Sequence, residues 1–391
     1  MKSNYPLQVA VVIPKYGLLG GAEGFVYNLT ERLALRDGFY VHVFANKWRQ
    51  GKAPIVFHKI PIIPFPRWIQ PISFAFFSRK AIYAGKYDIV HSHDRIFEMD
   101  LFTFHGIPHK TWIKETKRDR LSFFDQAMVW VEQKAFNNPK GPIILPVSTL
   151  VKEEILKVYD VPESKIRVIH PGVSMDRFST HSRETCRQEI RQRFNLSLDD
   201  VVVLFVSMNF ELKRLDLVIK GIADLVEKEG QASNMKLLVV GKGDSKRFMA
   251  LAHDLGISKR VVFAGVTNEV EKYYLACDIF AMPSKLDTFG LAVLEAMAAS
   301  LPVIITSRVG ARDIVKSGIN GFILSENPSV SEMTASFAAL TKSEKRLQMG
   351  ENSRQIAIRH TWDTTAERVA ELYQQLINDR NHYPESLMKN L

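Results

Sequence analysis

Residues 278–297 read Asp278-Ile279-Phe280-Ala281-Met282-Pro283-Ser284-Lys285-Leu286-Asp287-Thr288-Phe289-Gly290-Leu291-Ala292-Val293-Leu294-Glu295-Ala296-Met297. An apolar strand over 278–282 runs into a loop carrying Asp287, and the loop runs into a helix over about 290–299. Glu295, two turns into that helix, is its only acid among Ala292, Val293, Leu294, Ala296, Met297 and Ala298. An isolated acid in such surroundings needs a partner. Amides around Thr288–Leu291 can point at an anion from the helix N-terminus. An acidic first turn with a solvated glutamate is the plainer reading, but the apolar neighbours of Glu295 favour a functional one.

The same strand–loop–helix unit repeats on both sides. Downstream of Pro171-Gly172, apolar runs at 201–206, 236–240, 261–263, 278–282 and 302–305 predict strands. Helices are predicted between them at about 214–227, 245–255, 268–276, 290–299 and 311–317. Upstream, the strand 7–13 leads through a glycine-containing loop to a helix from Ala22 to Leu35, with strands near 40–45, 88–91 and 143–147. Ser148-Thr149 caps a further helix. Alternation at this spacing predicts an α/β fold with parallel sheets covered on both faces. His170-Pro171-Gly172-Val173 punctuates the chain, which divides into 1–172 and 173–363, with a helical tail over 364–391 expected to pack back on the first part. Ligands of such sheets bind outside the carboxyl ends of the strands. Two such domains facing each other are expected to enclose a central cleft.

A chain of 391 residues is long enough for two domains that each bury a core. No apolar run reaches the roughly 20 residues that span a bilayer, and 7–13 is too short for a signal sequence. A cytoplasmic protein is expected. Cys186 and Cys277 form no disulfide or zinc pattern. Residues 1–170 hold 24 Lys/Arg against 15 Asp/Glu, a balance of +9, whereas the remainder (28 against 27) balances at +1. Charge confined to one half suggests an anionic surface facing it. Lys110-Thr111-Trp112-Ile113-Lys114 through Lys117, Arg118, Arg120 and Phe123-Phe124 mixes cations with aromatics, as does Phe65-Pro66-Arg67-Trp68 through Arg79-Lys80. That composition suits an anionic membrane surface. A solvated basic face over an ordinary core is the competing reading. No nucleic-acid motif accompanies these residues, so a nucleic-acid partner is not expected.

Gly20-Gly21 follows the first strand and precedes a helix, where missing side chains allow close approach to a phosphate. It is not the G-x-G-x-x-G of nicotinamide enzymes. Gly241-Lys242-Gly243-Asp244-Ser245-Lys246 has the wrong order for a Walker loop and reads as a strand-to-helix turn. His91-x-His93 followed by Asp94 hints at a metal hydrolase, but His105 and His109 do not complete a ligand set.

Together, Gly20-Gly21-Ala22-Glu23, Asp88-Ile89-Val90-His91-Ser92-His93, Phe104-His105-Gly106, His170-Pro171-Gly172-Val173, Leu212-Lys213-Arg214-Leu215-Asp216 and the segment around Asp287 and Glu295 resemble the retaining glycosyltransferases of family 4. The resemblance spans nearly the whole chain and lies nearest the lipopolysaccharide-core glucosyltransferases. It implies the GT-B fold, with residues 1–172 on the acceptor side and 173–363 binding the nucleotide sugar. It implies a UDP-sugar donor, a hexose (glucose favoured), a glycolipid or lipopolysaccharide-core acceptor, and a place on the inner face of the membrane. Neither cofactor nor metal is expected: no D-x-D triplet is present.

The resemblance also assigns roles. Glu295 holds the donor ribose, and Asp287 faces the transferred sugar. Thr288, Phe289, Gly290 and Leu291 meet the donor with their amides, as do Gly20 and Gly21. Lys213 neutralises the leaving diphosphate, with Arg214 as helper. His105 lies near the donor sugar, and His93 and Asp94 shape the acceptor side. The chain departs from the family in three places. Asp287 stands where the family has glutamate, Ser207-Met208 replaces Gly-Arg, and Arg214 replaces glycine. Asp287, His105 and Lys213 are the catalytic candidates. No side chain is an obvious covalent nucleophile, so retention by front-face attack is expected. A UDP-sugar epimerase on the same fold is the first alternative, and a nucleotide-sugar or nucleic-acid binding protein without turnover is the second.

Overall fold

A computed structural model describes residues 5–18, 20–116, 120–137, 141–229 and 234–382. Lys117 and Arg118 of the basic segment, and residues 383–391 of the tail, lie outside the described residues. The chain separates into two compact units, residues 1–172 with 362–391, and residues 173–361.

The first unit is built on a six-stranded parallel sheet: β1 (Leu7–Val12), β2 (Phe39–Ala45), β3 (Ile55–Lys59), β4 (Ile89–Ser92), β5 (Leu101–Phe104) and β6 (Ile143–Pro146). Their order is β3-β2-β1-β4-β5-β6. Helices α1 (Gly21–Ala34), α2 (Ile69–Tyr83) and α3 (Phe123–Phe136) connect strands of this sheet. α3 starts at a capping box in which the Ser122 hydroxyl accepts from the Asp125 amide (3.1 Å) and the Asp125 carboxylate accepts from the Ser122 amide (3.1 Å).

In the second unit the apolar runs form β7 (Val201–Ser207), β8 (Met235–Gly241), β9 (Val261–Gly265), β10 (Ile279–Met282), β11 (Val303–Thr306) and β12 (Gly321–Leu324). Their order is β9-β8-β7-β10-β11-β12, again all parallel. Val202, Val203, Leu204 and Phe205 are completely buried because helices cover both faces, hence their unbroken apolar run. α4 (Leu215–Glu229) follows β7, and α5 (Leu291–Ala298) follows β10. Both sheets have the 3-2-1-4-5-6 order of dinucleotide-binding folds, which reverses beside the first strand and opens a crevice there.

Three strands of these two sheets escaped the sequence reading. β3 is an edge strand whose side chains grade from the buried Ile55 to the exposed Lys59, β5 is a short strand interrupted by the polar Thr103, and β12 opens on a glycine. The helix expected at 311–317 is absent; a 3-10 turn over Gly310–Asp313 replaces it. The buried Asn320 side chain accepts from the Lys316 amide (2.7 Å) and donates to the Ile314 carbonyl (3.2 Å). It thereby takes the backbone groups that an α-helix would pair. The C-terminal helix begins at Trp362 and packs on α1 in the first unit.

Candidate functional site

The turn after β7 folds on its own side chains. The Asn209 amide donates to the Ser207 hydroxyl (2.8 Å), and the Asn209 side chain accepts from the Leu212 amide (3.0 Å). The Leu212 carbonyl then accepts from the Lys285 amide (2.9 Å) and the Ser284 hydroxyl (3.2 Å). The turn is thereby tied to the loop after β10, as adjacency of β7 and β10 in the sheet allows. Across that junction the Lys213 ammonium contacts the Asp287 carboxylate, both side chains remaining partly exposed. Asp287 is clamped at its backbone. Its amide donates to the Arg308 carbonyl, and its carbonyl accepts from the Gly310 amide (2.9 Å each).

Arg214 adopts φ 58°, in the left-handed region that favours glycine. That backbone explains why glycine suits the position. Its guanidinium lies 3.5 Å from the Glu326 carbonyl, and it is Lys213 that reaches Asp287. The Phe289 amide donates to the Asp287 carboxylate at 3.2 Å in the free protein, a partner that the sequence did not anticipate. Gly290, at φ 90°, turns the chain into α5. The first amides of a helix have no intrahelical acceptor, and here they belong to Leu291 and its successors. Gly241 ends β8 at φ 121°, and a Cβ there would sit 1.8 Å from the Ser207 carbonyl oxygen. Close approach of the two strand ends therefore depends on glycine.

Glu295 has the partners its surroundings demand. The buried Tyr274 hydroxyl donates to it at 3.1 Å, and the Arg177 guanidinium lies 3.4 Å away while also pairing with Glu271 at 2.9 Å. Burial pushes the Glu295 carboxyl up, and Arg177 and the Tyr274 hydroxyl pull against that shift. Arg177, Glu271 and Tyr274 were not candidates from sequence. Arg177 belongs to a polar stretch with no periodicity, and nothing in its neighbours links it to Glu295 more than a hundred residues away.

In the first unit, a cavity of about 410 Å³ is lined by residues that include Lys15, Glu23, His93, Asp94, Arg95 and His105. His93 and His105, which follow β4 and β5, meet at 3.1 Å between Nδ1 and Nε2. Burial lowers His105 to about 3 and His93 well below its usual value, so both rings are neutral at pH 7. One of the two therefore donates to the other. His91 serves the fold: it bridges the Tyr373 hydroxyl (2.6 Å) and the Thr103 hydroxyl (2.7 Å). His109 is likewise structural, held 2.9 Å from Asp125. Burial pushes the Asp94 carboxyl up against the pull of Arg95. Arg95 itself is held by the fully buried Glu132, which also accepts from the Tyr159 hydroxyl at 2.6 Å. Gly20 caps α1 at φ 152°, with the Glu23 carboxylate folded over it. Gly20 and Gly21 thus open the helix whose next residues, Ala22 and Glu23, reach the cavity wall.

Two family models divide the chain between them: Glycosyltransferase Family 4 matches residues 19–177, and Glycosyl transferases group 1 matches residues 186–356. A D-inositol 3-phosphate glycosyltransferase of Corynebacterium urealyticum is 26% identical, with 92% of each chain covered. The lipopolysaccharide glucosyltransferase WaaG of Escherichia coli is 23% identical over 93% of this chain and 98% of its own. Among solved structures, WaaG superposes with a TM-score of 0.78 at 22% identity, covering 93% of this chain and 99% of that one. Anabaena HepE, in complex with UDP and glucose, superposes with a TM-score of 0.71 at 18% identity, covering 94% and 100%.

Proposed function

From the premise that the chain belongs to the family 4-type glycosyltransferases of the GT-B fold, we propose that it moves a hexose, glucose foremost, from a UDP-sugar onto a membrane-associated glycan such as a lipopolysaccharide core, with retention. The observation that carries this reading is the contact of Lys213 with Asp287, on the loop that leads into the helix bearing Glu295. It joins a cation suited to a diphosphate, a carboxylate suited to sugar hydroxyls, and a second carboxylate suited to a ribose diol. The similarity to WaaG, a lipopolysaccharide glucosyltransferase, and to HepE, solved with UDP and glucose, supports the donor.

In this reading the diphosphate competes with Asp287 for the Lys213 ammonium. Asp287, so released, turns to the sugar hydroxyls and the positive charge developing at the anomeric carbon. The bond from that carbon to the diphosphate oxygen breaks, and the acceptor oxygen attacks from the same face. The acceptor proton passes to the departing diphosphate. Lys213 supplies the charge that a divalent ion would otherwise supply. His105 acts on the sugar, while His93 and Asp94 receive the acceptor. The test is a panel of UDP-sugars with total cell-envelope glycolipid. UDP release should require the glycolipid, and the new linkage should be α, as in the donor. A β product would sink retention, and UDP release indifferent to glycan would sink transfer.

The same reading places the enzyme on the cytoplasmic face of a membrane. No described helix is long and apolar enough to cross one. Phe65, Trp68, Trp112, Leu121 and Phe123 of the first unit are exposed, among the cations noted above. Each basic residue near an anionic surface adds about 1 kcal/mol, so several must act together. Co-sedimentation should need anionic vesicles, weaken with salt, and fall when Lys114, Lys117, Arg118 and Arg120 are all changed to glutamine. Indifference to anionic vesicles at low salt would favour the solvated-face reading.

A further inference from the structure

The first unit holds another cavity, of about 670 Å³, between α2, α3 and the loop from β4 to β5. Asn137 follows α3 and lies six residues before β6 begins, so this cavity sits toward the amino ends of the strands. His93 and His105 follow the carboxyl ends of β4 and β5, a strand length away, about 13 Å. The cavity is therefore separate from the site described above.

Its wall has an uncommon make-up. Trp130 is 44% exposed, with Phe97 edge-on against it at 5.6 Å between ring centroids. Trp130, Gln133 and Asn137 fall at i, i+3 and i+7, one face of a helix. Among the described residues, no protein group hydrogen-bonds the Trp130 indole N–H or either side-chain amide. Each amide can donate and accept. On the facing side Arg79 pairs with Glu98 at 2.9 Å, and the Tyr83 hydroxyl also donates to Glu98. These two charges largely cancel, so the Arg79–Glu98 side does not by itself select an anion. The Trp130 plate is rimmed by neutral amides, by the paired Arg79 and Glu98, and by the exposed Lys134 ammonium, which offers a further hydrogen-bond donor to a hydroxyl.

A hexopyranose is the complementary object. One face of the ring is a patch of C–H groups that stacks on an aromatic plate, and its equatorial hydroxyls need planar donors and acceptors around that plate. The volume lies within the usual range for small-ligand pockets. We propose that this cavity is a second, non-catalytic subsite that binds a neutral hexopyranose of the acceptor glycan, with Trp130 as the stacking plate and Gln133 and Asn137 as hydroxyl partners. The proposal rests on the reading that the acceptor is a glycan. A remote subsite raises the effective concentration of the acceptor without touching chemistry.

The experiment is saturation-transfer NMR on the full chain with maltohexaose or cellohexaose at millimolar concentration and no nucleotide. Saturation of sugar-ring protons is expected for the wild type and for Glu295→Gln, and its loss for Trp130→Ala. Gln133→Ala with Asn137→Ala should weaken it several-fold, a second route should Trp130→Ala misfold. Donor hydrolysis without acceptor should be unchanged in these cavity variants. Absence of transfer to either sugar, or its persistence in both cavity variants, would overturn the subsite. Because no donor is present, that result is independent of whether the enzyme transfers glucose.

Discussion

Replacing Lys213 by alanine should lower kcat by about 10²–10³-fold, the loss typical of removing one group aimed at developing transition-state charge. Negative charge on the leaving diphosphate peaks in the transition state, so the cation matters more there than in the bound substrate. Donor KM should therefore move much less than kcat. The structure adds a second, smaller effect. Lys213 contacts Asp287, and its removal leaves that carboxylate uncompensated where a diphosphate must sit. The resulting repulsion falls on donor binding as a smaller rise in KM, which the double variant Lys213→Ala with Asp287→Asn should relieve without restoring kcat. Residues in contact couple, so the two changes should not add. EDTA should leave the wild-type rate unchanged. Activity abolished by chelation and restored by a divalent ion would overturn the role given to Lys213.

Glu295→Gln should weaken binding of free UDP by at least tenfold, as expected from loss of a charge-assisted hydrogen bond worth about 1.5–3 kcal/mol. The fold should survive, because Arg177 keeps its partner Glu271 and the Tyr274 hydroxyl can donate to the amide oxygen instead. A pH series sharpens the test. Burial raises the Glu295 pKa, so wild-type UDP affinity should begin to fall at a higher pH than for an ordinary carboxylate as the solution is acidified. The Gln variant should lack that component. Calorimetric titration with UDP reads both effects, and equal affinities for a folded variant and the wild type would remove Glu295 from the ribose.

These residues were legible for different reasons. Asp287 and Glu295 stood out because an acid in an apolar helix, or in the loop feeding it, breaks a pattern. Most strands of the second unit were legible because burial on both faces imposes unbroken apolar runs. β12 was hidden by its opening glycine, and the turn at 310–313 by a buried asparagine that substitutes for helical backbone bonds. Arg177 and Arg95 could not be read at all. Their partners, Glu295 and Glu132, are distant in sequence, and only folding selects one arginine among many. The sequence suggests Arg214 as a helper to Lys213, and what it could not show is the left-handed backbone there, with the guanidinium 3.5 Å from the Glu326 carbonyl.

The C-terminal helix belongs to the same unit as the amino terminus. Trp362 packs edge-on against Phe25 at 5.3 Å, Asp363 pairs with Arg32 at 2.8 Å, and Tyr373 closes on His91. On the ribosome Arg32 is made 331 residues before Asp363, and His91 282 residues before Tyr373. Residues 173–361 are complete and able to fold while the first unit still lacks its last helix. Until Tyr373 emerges, His91 waits in a half-finished interior without one of its two hydrogen bonds. The first unit is therefore completed only after the second, and a chain truncated before Trp362 would leave the first unit, rather than the second, with an open core.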